Sequence, residues 1–267
     1  MDNEHINVSI IPLDIVRASP ERNLNAVASL MGHVPEGTDI VALPELFTTG
    51  FISDMPLLSE MADHSGRTLG TIADISKKYG CAICGSVIAS EHGHIFNRAF
   101  FHDPDSGTTT FYDKRHLFSL SSEYKYLSAG TAVPPIIPFR GWNISMIVCY
   151  DLRFPVWCRS VNYSYDIMIV PANWPQSRGY AWQQLLIARA IENQSCWVGA
   201  DRSGSDDYGK YDGLADIYNA MGMPIGVKDK VSGVVSATID RRHISEYRRR
   251  LPTGNDMDDF KIIDTGL

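Results

Sequence analysis

Cys149 is the residue whose position in this sequence most clearly predicts chemistry. It follows the mostly apolar run of residues 144–148 and precedes two polar residues. This pattern predicts a strand, a sharp turn that carries the thiol, and a helix over residues 155–163 that opens at a proline. Such a turn exposes a nucleophile beyond the carboxyl end of a sheet, as the serine elbow of other hydrolases does. The competing interpretation is a small buried hydrophobic residue that merely ends the strand.

Two further groups with acid–base chemistry stand at comparable places, at the ends of strand-like runs. Glu45 closes the run of residues 40–43 after a proline, in a loop that is largely apolar. Lys114 closes the run of residues 108–112. Taken singly, the two residues could be an exposed loop glutamate and a surface lysine. Because the reactive groups of open α/β sheets gather beyond the carboxyl ends of strands, we expect Glu45, Lys114 and Cys149 to meet at one site.

These three side chains are sufficient for nucleophilic attack on a carbonyl carbon. A thiol must lose its proton before it attacks, and a nearby cation such as Lys114 lowers the pKa of a thiol. The Lys114 ammonium and the backbone N–H of Tyr150, the residue after the nucleophile, are the candidate donors to the oxyanion. Glu45 is the candidate general base for the thiol and general acid for the leaving amine, because apolar neighbours reduce the hydration of its carboxylate.

Three segments around these residues resemble the signature blocks of the nitrilase (carbon–nitrogen hydrolase) superfamily and occur in that family's order. They are LPE at residues 43–45, YDKRHLF at residues 112–118 and CYDLRFP at residues 149–155. Two later segments, at residues 171–175 and 186–194, are also similar to the family. The resemblance covers nearly the whole chain.

The resemblance implies an α/β fold, a nitrilase-like four-layer αββα sandwich, formed by a single domain over residues 1–267. It implies a Glu45–Lys114–Cys149 triad that hydrolyses amides or nitriles through a thioester without a cofactor. It also implies a second glutamate that positions the lysine and the substrate, and Glu123 occupies the matching place. The alternative for Glu123 is an ordinary loop carboxylate.

The KRHLF and ANWP segments resemble those of bacterial omega-amidases. Such enzymes hydrolyse the terminal amide of 2-oxoglutaramate or 2-oxosuccinamate to the 2-oxo diacid and ammonia. These substrates carry a carboxylate, which needs a cation or backbone donors for recognition. Arg153 and Arg115 are the candidate cations, although either could pair with a neighbouring acid. Trp174 and Phe51 are candidate walls of a small pocket.

Two other functions stay open at this point. The chain could hydrolyse an N-carbamoyl amino acid or another small amide, or it could be a non-catalytic binding module that kept the fold. The sequence also departs from the family. Asp201-Arg202 stands where Asn-Arg is common, GLA at residues 213–215 replaces a common Gly-x-Ser, and residues 203–211 are rich in Gly, Ser and Asp. These changes lie outside the triad, so they bear on the pocket edge and the substrate more than on the mechanism.

Alternating strand and helix patterns must position these groups, and they predict a layered α/β fold. Hydrophobic periodicity and turn residues mark the individual elements. Strands are expected at residues 6–12, 39–44, 81–88, 94–102, 108–112, 142–148, 166–170, 195–200, 214–218 and 232–239, and helices at residues 20–32, 66–79, 155–163 and 179–193. The short connections between residues 81 and 112 predict that this part of the sheet is antiparallel.

Composition limits the partners of the protein. The chain has 267 residues, is 44% hydrophobic and carries a formal net charge of −7, without the clustered Lys and Arg of a nucleic-acid footprint. The one basic cluster, at residues 241–250, is expected to be a solvated face. The polar N-terminus and the lack of a long apolar run predict a cytoplasmic protein with no membrane partner. The family resemblance implies a homodimer, and the expected ligand is a small amide.

The five cysteines, an odd number, fit reduced thiols better than a disulfide framework. Cys81 and Cys84, followed by His92 and His94, superficially resemble a zinc site. Because residues 81–88 are expected to form a strand, a spacing of three places the two thiols on opposite faces. Zinc needs ligands that converge, so we expect no metal site.

Overall fold

The computed structural model describes residues 4–258 and 260–262. Within them, the chain forms fourteen β-strands and six α-helices. The strands are β1 (His5–Ile10), β2 (Ile40–Ala42), β3 (Ala82–Glu91), β4 (His94–His102), β5 (Thr109–Asp113), β6 (Ile137–Phe139), β7 (Trp142–Met146), β8 (Ile167–Ala172), β9 (Cys196–Asp201), β10 (Ser203–Asp206), β11 (Gly209–Asp212), β12 (Asp216–Tyr218), β13 (Val227–Lys228) and β14 (Val235–Asp240). The helices are α1 (Pro20–Leu30), α2 (Met55–Asp63), α3 (Ser65–Tyr79), α4 (Glu123–Tyr126), α5 (Gly179–Asn193) and α6 (Arg241–Arg250).

Two mixed sheets and one hairpin contain all of these strands. A seven-stranded sheet has the order β13-β14-β1-β2-β3-β4-β5, and a five-stranded sheet has the order β12-β9-β8-β7-β6. The central strands β1, β2 and β3 are parallel, as are β7, β8 and β9, whereas the outer pairs are antiparallel. The antiparallel pairing of β3, β4 and β5 confirms the prediction from their short connections. β10 and β11 form the separate hairpin.

The two large sheets pack against each other through alternate side chains. Val8 and Cys84 of the seven-stranded sheet and Ile144 and Ile169 of the five-stranded sheet belong to one buried cluster. β-Branched and other apolar side chains at every second position give each sheet one apolar inner face.

Helices cover the outer faces of both sheets. Val27 of α1 and Ile72 of α3 pack against Ile83 of the seven-stranded sheet. On the other side, α5 lies so close to β9 that a Cβ atom at Gly199 would lie 2.6 Å from Leu186. The layers therefore run helix, sheet, sheet, helix, which confirms the expected four-layer αββα sandwich.

Cys81 and Cys84 lie on opposite faces of the seven-stranded sheet, as their spacing predicts. Cys81 packs in the outer cluster under the helices, and Cys84 packs in the cluster between the sheets. Across the described ranges, no group of three or more His, Cys, Asp or Glu side chains could hold a metal ion. No helix in the described part of the chain is both long and apolar enough to cross a bilayer.

The predicted helix over residues 155–163 is wrong. A 3-10 helix, Cys149–Arg153, begins directly at the cysteine, and only a short 3-10 turn, Val161–Tyr163, follows. Side-chain contacts to β5 and its loop hold the intervening residues instead. The Trp157 indole N–H donates to the Tyr112 hydroxyl at 2.8 Å, and the Phe154 ring stacks on His116 with centroids 3.7 Å apart. These tertiary contacts override the local helical preference.

Several short elements lie outside the predictions, and the basic cluster is the expected solvated face only in part: Arg242, Arg249 and Arg250 are exposed, but Arg248 is not. Residues 241–250 form α6, and the Arg248 guanidinium donates to Asp166 at 3.0 Å while it stacks over the Tyr163 ring. Helix α2 was also missed, although Asp54 caps it by accepting from the Leu57 N–H at 2.9 Å. The aspartate cap and the adjacent proline were the signals in the sequence that could have identified α2.

Candidate active site

Glu45, Lys114 and Cys149 line one cavity of about 490 Å³. Glu45 follows β2 by three residues, Lys114 directly follows β5, and Cys149 follows β7 by three residues. All three side chains are buried, with exposures of 5%, 3% and 9%. The structure thus brings together the three residues that the strand-end argument singles out, one from each of three strands in two facing sheets.

The Lys114 ammonium lies between two carboxylates. Its Nζ atom donates to Glu45 Oε1 at 2.8 Å and to both carboxylate oxygens of Glu123 at 2.8 and 3.0 Å. Burial alone would lower the pKa of Lys114, but the negative charges of Glu123 and Glu45 outweigh it and hold this pKa well above its ordinary value. Lys114 is therefore a permanent cation at this site.

Glu123 is buried and hydrogen-bonded, like the lysine that it binds. It opens the single-turn helix α4, is 3% exposed, and its Oε2 atom accepts the Phe118 N–H at 2.7 Å. The carboxylate therefore contacts both the lysine and the loop after it. An ordinary loop carboxylate, the alternative for Glu123, would be exposed, whereas this carboxylate is buried and hydrogen-bonded.

Both oxygens of Glu45 are also occupied. Oε1 accepts from the side-chain amide of Asn97 at 2.8 Å in addition to Lys114, and Oε2 accepts the backbone N–H of Asn173 at 3.0 Å. Asn97 lies on β4, where it is fully buried, and it is not among the residues predicted for the site. A polar residue at an inward-facing position of a strand was the available signal, because buried polar groups need partners.

The backbone at Cys149 adopts an unusual conformation. Its φ angle is +44°, in the left-handed region that non-glycine residues rarely occupy, at a cost of about 1 kcal/mol or more. This is the strained turn that a nucleophile elbow requires, although a 3-10 helix continues from it. The turn points the thiol into the cavity beside Glu45 and Lys114.

The surroundings of the Cys149 thiol favour its protonated form. Burial and the negative charge of Glu45 raise the pKa of Cys149 well above its ordinary value, and the opposing effect of Lys114 is smaller. Lys114 lowers the pKa of the thiol, as expected, but burial and the charge of Glu45 outweigh this effect. Because the Glu45 carboxylate lies close enough to the thiol to act on its pKa, the proton has an acceptor within reach.

Asp151 connects the cysteine turn with the lysine loop, and it is not among the residues predicted for the site. Its carboxylate is fully buried and accepts the Val148 N–H at 3.1 Å and the Tyr112 hydroxyl at 2.8 Å. It also accepts the backbone N–H and the Nδ1 atom of His116, at 2.8 and 2.7 Å. These bonds connect the residue before Cys149 with the strand and loop that carry Lys114.

Aromatic side chains form the walls of the cavity, as the sequence predicts for Trp174 and Phe51. The Trp174 N–H donates to Asp201 at 2.7 Å, which fixes this residue, and Phe51 contacts the Tyr208 ring edge-on at 5.4 Å. Tyr150 also lines the cavity and packs against Phe118 with ring centroids 5.0 Å apart.

The two arginines predicted to bind a carboxylate have different surroundings. Arg153 lines the cavity, with its guanidinium 4.8 Å from the centre of the Trp174 ring. Arg115 is not among the lining residues; it donates to the Gly130 carbonyl at 3.2 Å and lies over the Trp157 ring. The structure instead places Arg178, which the sequence analysis did not single out, in the lining.

One of the departures from the family pattern lies at the pocket edge, as expected. Residues 203–211 form part of the β10–β11 hairpin, and Asp206, Tyr208 and Tyr211 line the cavity. Asp201 is fully buried behind Trp174, and one of its oxygens has no hydrogen-bond partner. Burial raises the pKa of Asp201 well above its ordinary value, against the opposing effect of the Trp174 and Arg202 N–H groups.

Several known proteins are similar to this chain. The carbon–nitrogen hydrolase family model matches residues 7–249. The omega-amidase YafV of Escherichia coli K12 is 38% identical over 228 residues, which cover 85% of this chain and 87% of that protein. The 2-oxoglutaramate amidase of Bacillus subtilis 168 is 33% identical over 254 residues, which cover 94% and 96% of the two chains.

Solved structures show the same fold. The crystal structure of XC1258 from Xanthomonas campestris, a CN-hydrolase superfamily protein with an arsenic adduct in its active site, superposes with a TM-score of 0.90. It is 33% identical, and the match covers 97% of this chain and 99% of that one. Saccharomyces cerevisiae Nit3, of the nitrilase superfamily, matches with a TM-score of 0.81 over 93% and 95% of the two chains at 20% identity.

Proposed function

The chain belongs to the carbon–nitrogen hydrolase family, and from this premise we propose that it is an omega-amidase. The proposed reaction converts 2-oxoglutaramate or 2-oxosuccinamate to the 2-oxo diacid and ammonia through a thioester on Cys149. The observation that carries the proposal is the buried contact of Lys114 with Glu45 and Glu123 beside that thiol. The substrate class is supported by the names of the two amidase relatives.

In the first half-reaction, the Cys149 sulfur attacks the amide carbonyl carbon while Glu45 takes the thiol proton. The carbonyl oxygen becomes an oxyanion, which the Lys114 ammonium and the Tyr150 N–H stabilise by donating hydrogen bonds. The tetrahedral intermediate then collapses, the carbon–nitrogen bond breaks, and Glu45 gives its proton to the departing amine. Ammonia leaves, and the acyl group remains on the sulfur.

In the second half-reaction, Glu45 takes a proton from water as the water oxygen attacks the thioester carbonyl. The same two donors hold the second oxyanion. The carbon–sulfur bond breaks, the sulfur regains the proton from Glu45, and the carboxylic acid product leaves. Glu123 does not exchange protons in this scheme; it holds Lys114 in place and helps to position the substrate and the water.

The raised pKa of Cys149 fits this scheme. A thiol with a raised pKa requires a base within reach at the moment of attack, and the Glu45 carboxylate lines the same cavity. General-base help of this kind contributes about 10²- to 10⁴-fold to a rate. No histidine is needed for this chemistry, since the carboxylate takes the part that histidine has in other cysteine hydrolases.

The substrate would lie with its amide at the buried end of the cavity. Trp174 and Phe51 flank its carbon chain, and Arg153 is the candidate partner of its carboxylate among the residues expected from the sequence. Arg115 is not part of this proposal, because it lies outside the cavity lining.

An ammonia-release assay with purified protein tests the proposal. We expect turnover of 2-oxoglutaramate and 2-oxosuccinamate that exceeds turnover of N-carbamoyl amino acids. Cys149→Ala is expected to abolish release and Cys149→Ser nearly to abolish it. Cys81→Ala is the matched control, because that thiol packs in the outer cluster under α1 and α3. A preference for N-carbamoyl substrates would overturn the substrate assignment, and substantial activity of Cys149→Ala would overturn the mechanism.

Two broader expectations from the sequence stay predictions: a homodimer and a cytoplasmic location. Light scattering coupled to size-exclusion chromatography measures the mass in solution, and a mass of one chain would contradict the dimer. Fractionation of the source cells tests the location.

A further inference from the structure

The turn that carries Glu45 contains a strained residue. Leu46, the next residue in the chain, has a φ angle of +47°, in the left-handed region that glycine adopts easily and leucine rarely does. Such a conformation persists only when the surrounding structure holds it, and it is most frequent at functional sites. Cys149, with its φ angle of +44°, has the same feature. The nucleophile and the neighbour of the base therefore both lie in strained turns.

The side chain of Leu46 explains why a leucine stands at this position. It is 2% exposed and packs in a buried cluster with Ile52, Leu58 and Ile88. A glycine would relieve the backbone strain, but it would leave a hole in that cluster. The left-handed backbone of Leu46 must therefore be stabilised by contacts from elsewhere in the structure.

Ser86 of β3 supplies such contacts at three points of the turn. Its hydroxyl oxygen accepts the Leu46 N–H at 2.9 Å, and its carbonyl oxygen accepts the Phe47 N–H at 3.2 Å. Its own N–H donates to the Pro44 carbonyl oxygen at a longer 3.5 Å. Ser86 is fully buried. One residue thus holds the backbone on both sides of Glu45.

The hydroxyl is the part of Ser86 on which the strained residue depends. The other two contacts use backbone atoms, which a substitution does not remove. The Leu46 carbonyl oxygen is held separately, because it accepts the N–H groups of Thr49 and Gly50 at 3.0 and 2.8 Å. Since Leu46 is buried, its N–H would be a buried donor without an acceptor if the hydroxyl were lost. The turn would then relax toward a conformation in which this N–H finds another partner.

Relaxation of the turn matters because the Glu45 carboxylate works at short distances. Its oxygens contact the Lys114 ammonium and the Asn97 side chain at 2.8 Å and the Asn173 N–H at 3.0 Å. In the proposed reaction it also exchanges protons with the thiol, the amine and the water. A change in the backbone of Leu46 moves the adjacent peptide group and the glutamate side chain before it. A misplacement of about 1 Å can cost about 100-fold in rate.

We propose that Ser86 is a positioning residue for the general base: its hydroxyl stabilises the left-handed conformation of Leu46 and thereby holds the Glu45 carboxylate beside the Cys149 thiol. This inference rests on the proposed function, because it takes Glu45 as the base of that reaction. Ser86 is not among the residues that line the cavity, so it acts through the turn and not on the substrate.

Kinetics of Ser86→Ala on 2-oxoglutaramate test the inference. The variant is expected to lower kcat by about 10- to 100-fold and to leave KM within about twofold, because the base and not the substrate is displaced. Ser76→Ala is the matched control. Ser76 is also fully buried, and its hydroxyl donates to the Cys81 carbonyl oxygen at 2.6 Å at the end of α3. Both variants lose one buried hydroxyl, but only Ser86→Ala loses kcat.

A second measurement follows the Cys149 thiol without any substrate. The charge of Glu45 raises the pKa of Cys149, so a displaced carboxylate lowers that pKa. Iodoacetamide labelling of the Cys149 peptide, followed by mass spectrometry over a range of pH, measures it. The midpoint is expected at a lower pH in Ser86→Ala than in wild type, and at the wild-type pH in Ser76→Ala. A merely structural role of Ser86 does not predict this difference between two variants that lose the same atoms.

Ser86→Thr is the conservative variant, because it keeps the hydroxyl. It is expected to retain kcat within about threefold of wild type, and urea unfolding measures whether it is folded. A kcat of Ser86→Ala within about twofold of wild type overturns the inference. So does an equal loss of kcat in Ser76→Ala, or an equal loss in a Ser86→Thr variant that is as stable as wild type. If wild type does not hydrolyse 2-oxoglutaramate, the proposed function fails, and the labelling midpoints alone decide whether Ser86 positions Glu45.

Discussion

The backbone N–H of His116 donates to the Asp151 carboxylate at 2.8 Å, and its Nδ1 atom contacts the same oxygen at 2.7 Å. His116 lies two residues after Lys114, and Asp151 lies two residues after Cys149. This single buried carboxylate therefore links the loop of the oxyanion donor to the turn of the nucleophile. The distance between the Cys149 sulfur and the Lys114 ammonium depends on two loops that follow strands of different sheets. A hydrogen bond that joins these two loops therefore fixes that distance directly.

We expect Asp151→Asn to destabilise the protein and to lower kcat. An asparagine has one acceptor oxygen where the aspartate has two, and its NH₂ group would face a backbone N–H. The expected loss is about 3 kcal/mol in the free energy of unfolding, because buried donors are left without a charged acceptor. Urea unfolding measures it, with Asp74→Asn on the exposed side of α3 as the control. An unfolding free energy within about 0.5 kcal/mol of wild type would contradict this role.

Glu45→Gln is expected to make the thiol easier to ionise and yet to abolish turnover. The charge of Glu45 raises the pKa of Cys149, so its removal shifts that pKa down, toward the ordinary cysteine value. Turnover is lost by about 10³-fold because the proton acceptor is gone. Ultraviolet absorbance of the thiolate as a function of pH, corrected by the Cys149→Ser trace, reports the pKa. If the pKa falls and activity survives, Glu45 is not the base.

Lys114→Met is expected to remove activity and to make stability depend strongly on pH. Without the cation, Glu45 and Glu123 are two adjacent buried carboxylates, and burial with mutual repulsion raises their pKa values in the folded state. Groups with a raised folded pKa lose stability as pH rises through that pKa, so the variant is relatively more stable near about pH 5 than near about pH 8. Activity is expected to fall by about 10²- to 10³-fold, through loss of an oxyanion donor. Equal stability losses at both pH values would contradict the ion-pair account.

Asp201→Asn is expected to stabilise the protein at neutral and alkaline pH. Burial raises the folded-state pKa of Asp201. The stability that Asp201 contributes is therefore fully present below its pKa in the unfolded chain. It is lost as pH rises through its pKa in the folded protein. Asparagine keeps the acceptor for the Trp174 N–H and carries no charge. Urea unfolding is expected to show a gain of about 1 kcal/mol near pH 8 and a smaller gain near pH 5. A variant less stable than wild type at the higher pH would show that the carboxylate is needed as an anion.

Much of this site could be predicted from the sequence, because each triad residue ends a strand and strand patterns are local. Glu45, Lys114 and Cys149 were expected together for that reason. Asn97 and Asp151 were missed because they bond to Glu45 and His116, 52 and 35 residues away in the chain, and no local pattern records such partners. Arg115 was assigned to the pocket on its motif alone, whereas its guanidinium is engaged by the Gly130 carbonyl instead.

The fold, too, was predictable where it depends on local sequence and not where it depends on distant contacts. The αββα layers follow from apolar periodicity, which depends on each segment alone. The helix expected over residues 155–163 failed because Phe154 and Trp157 use their rings to bind the lysine loop and β5. Asn162 and Tyr163 also adopt left-handed φ angles, of 52° and 54°, which a continuous α-helix over these residues would not accept. The conformation of these residues depends on tertiary contacts that the local sequence does not specify.

Mass spectrometry of protein quenched in acid during turnover tests the central claim most directly. With 2-oxoglutaramate, the account predicts that the peptide containing Cys149 gains the mass of the substrate acyl group, formed by loss of ammonia. The same peptide from Cys149→Ala carries no adduct, and Cys81→Ala behaves as wild type. Turnover without any adduct on Cys149, or with the acyl group on another residue, would contradict the thioester mechanism.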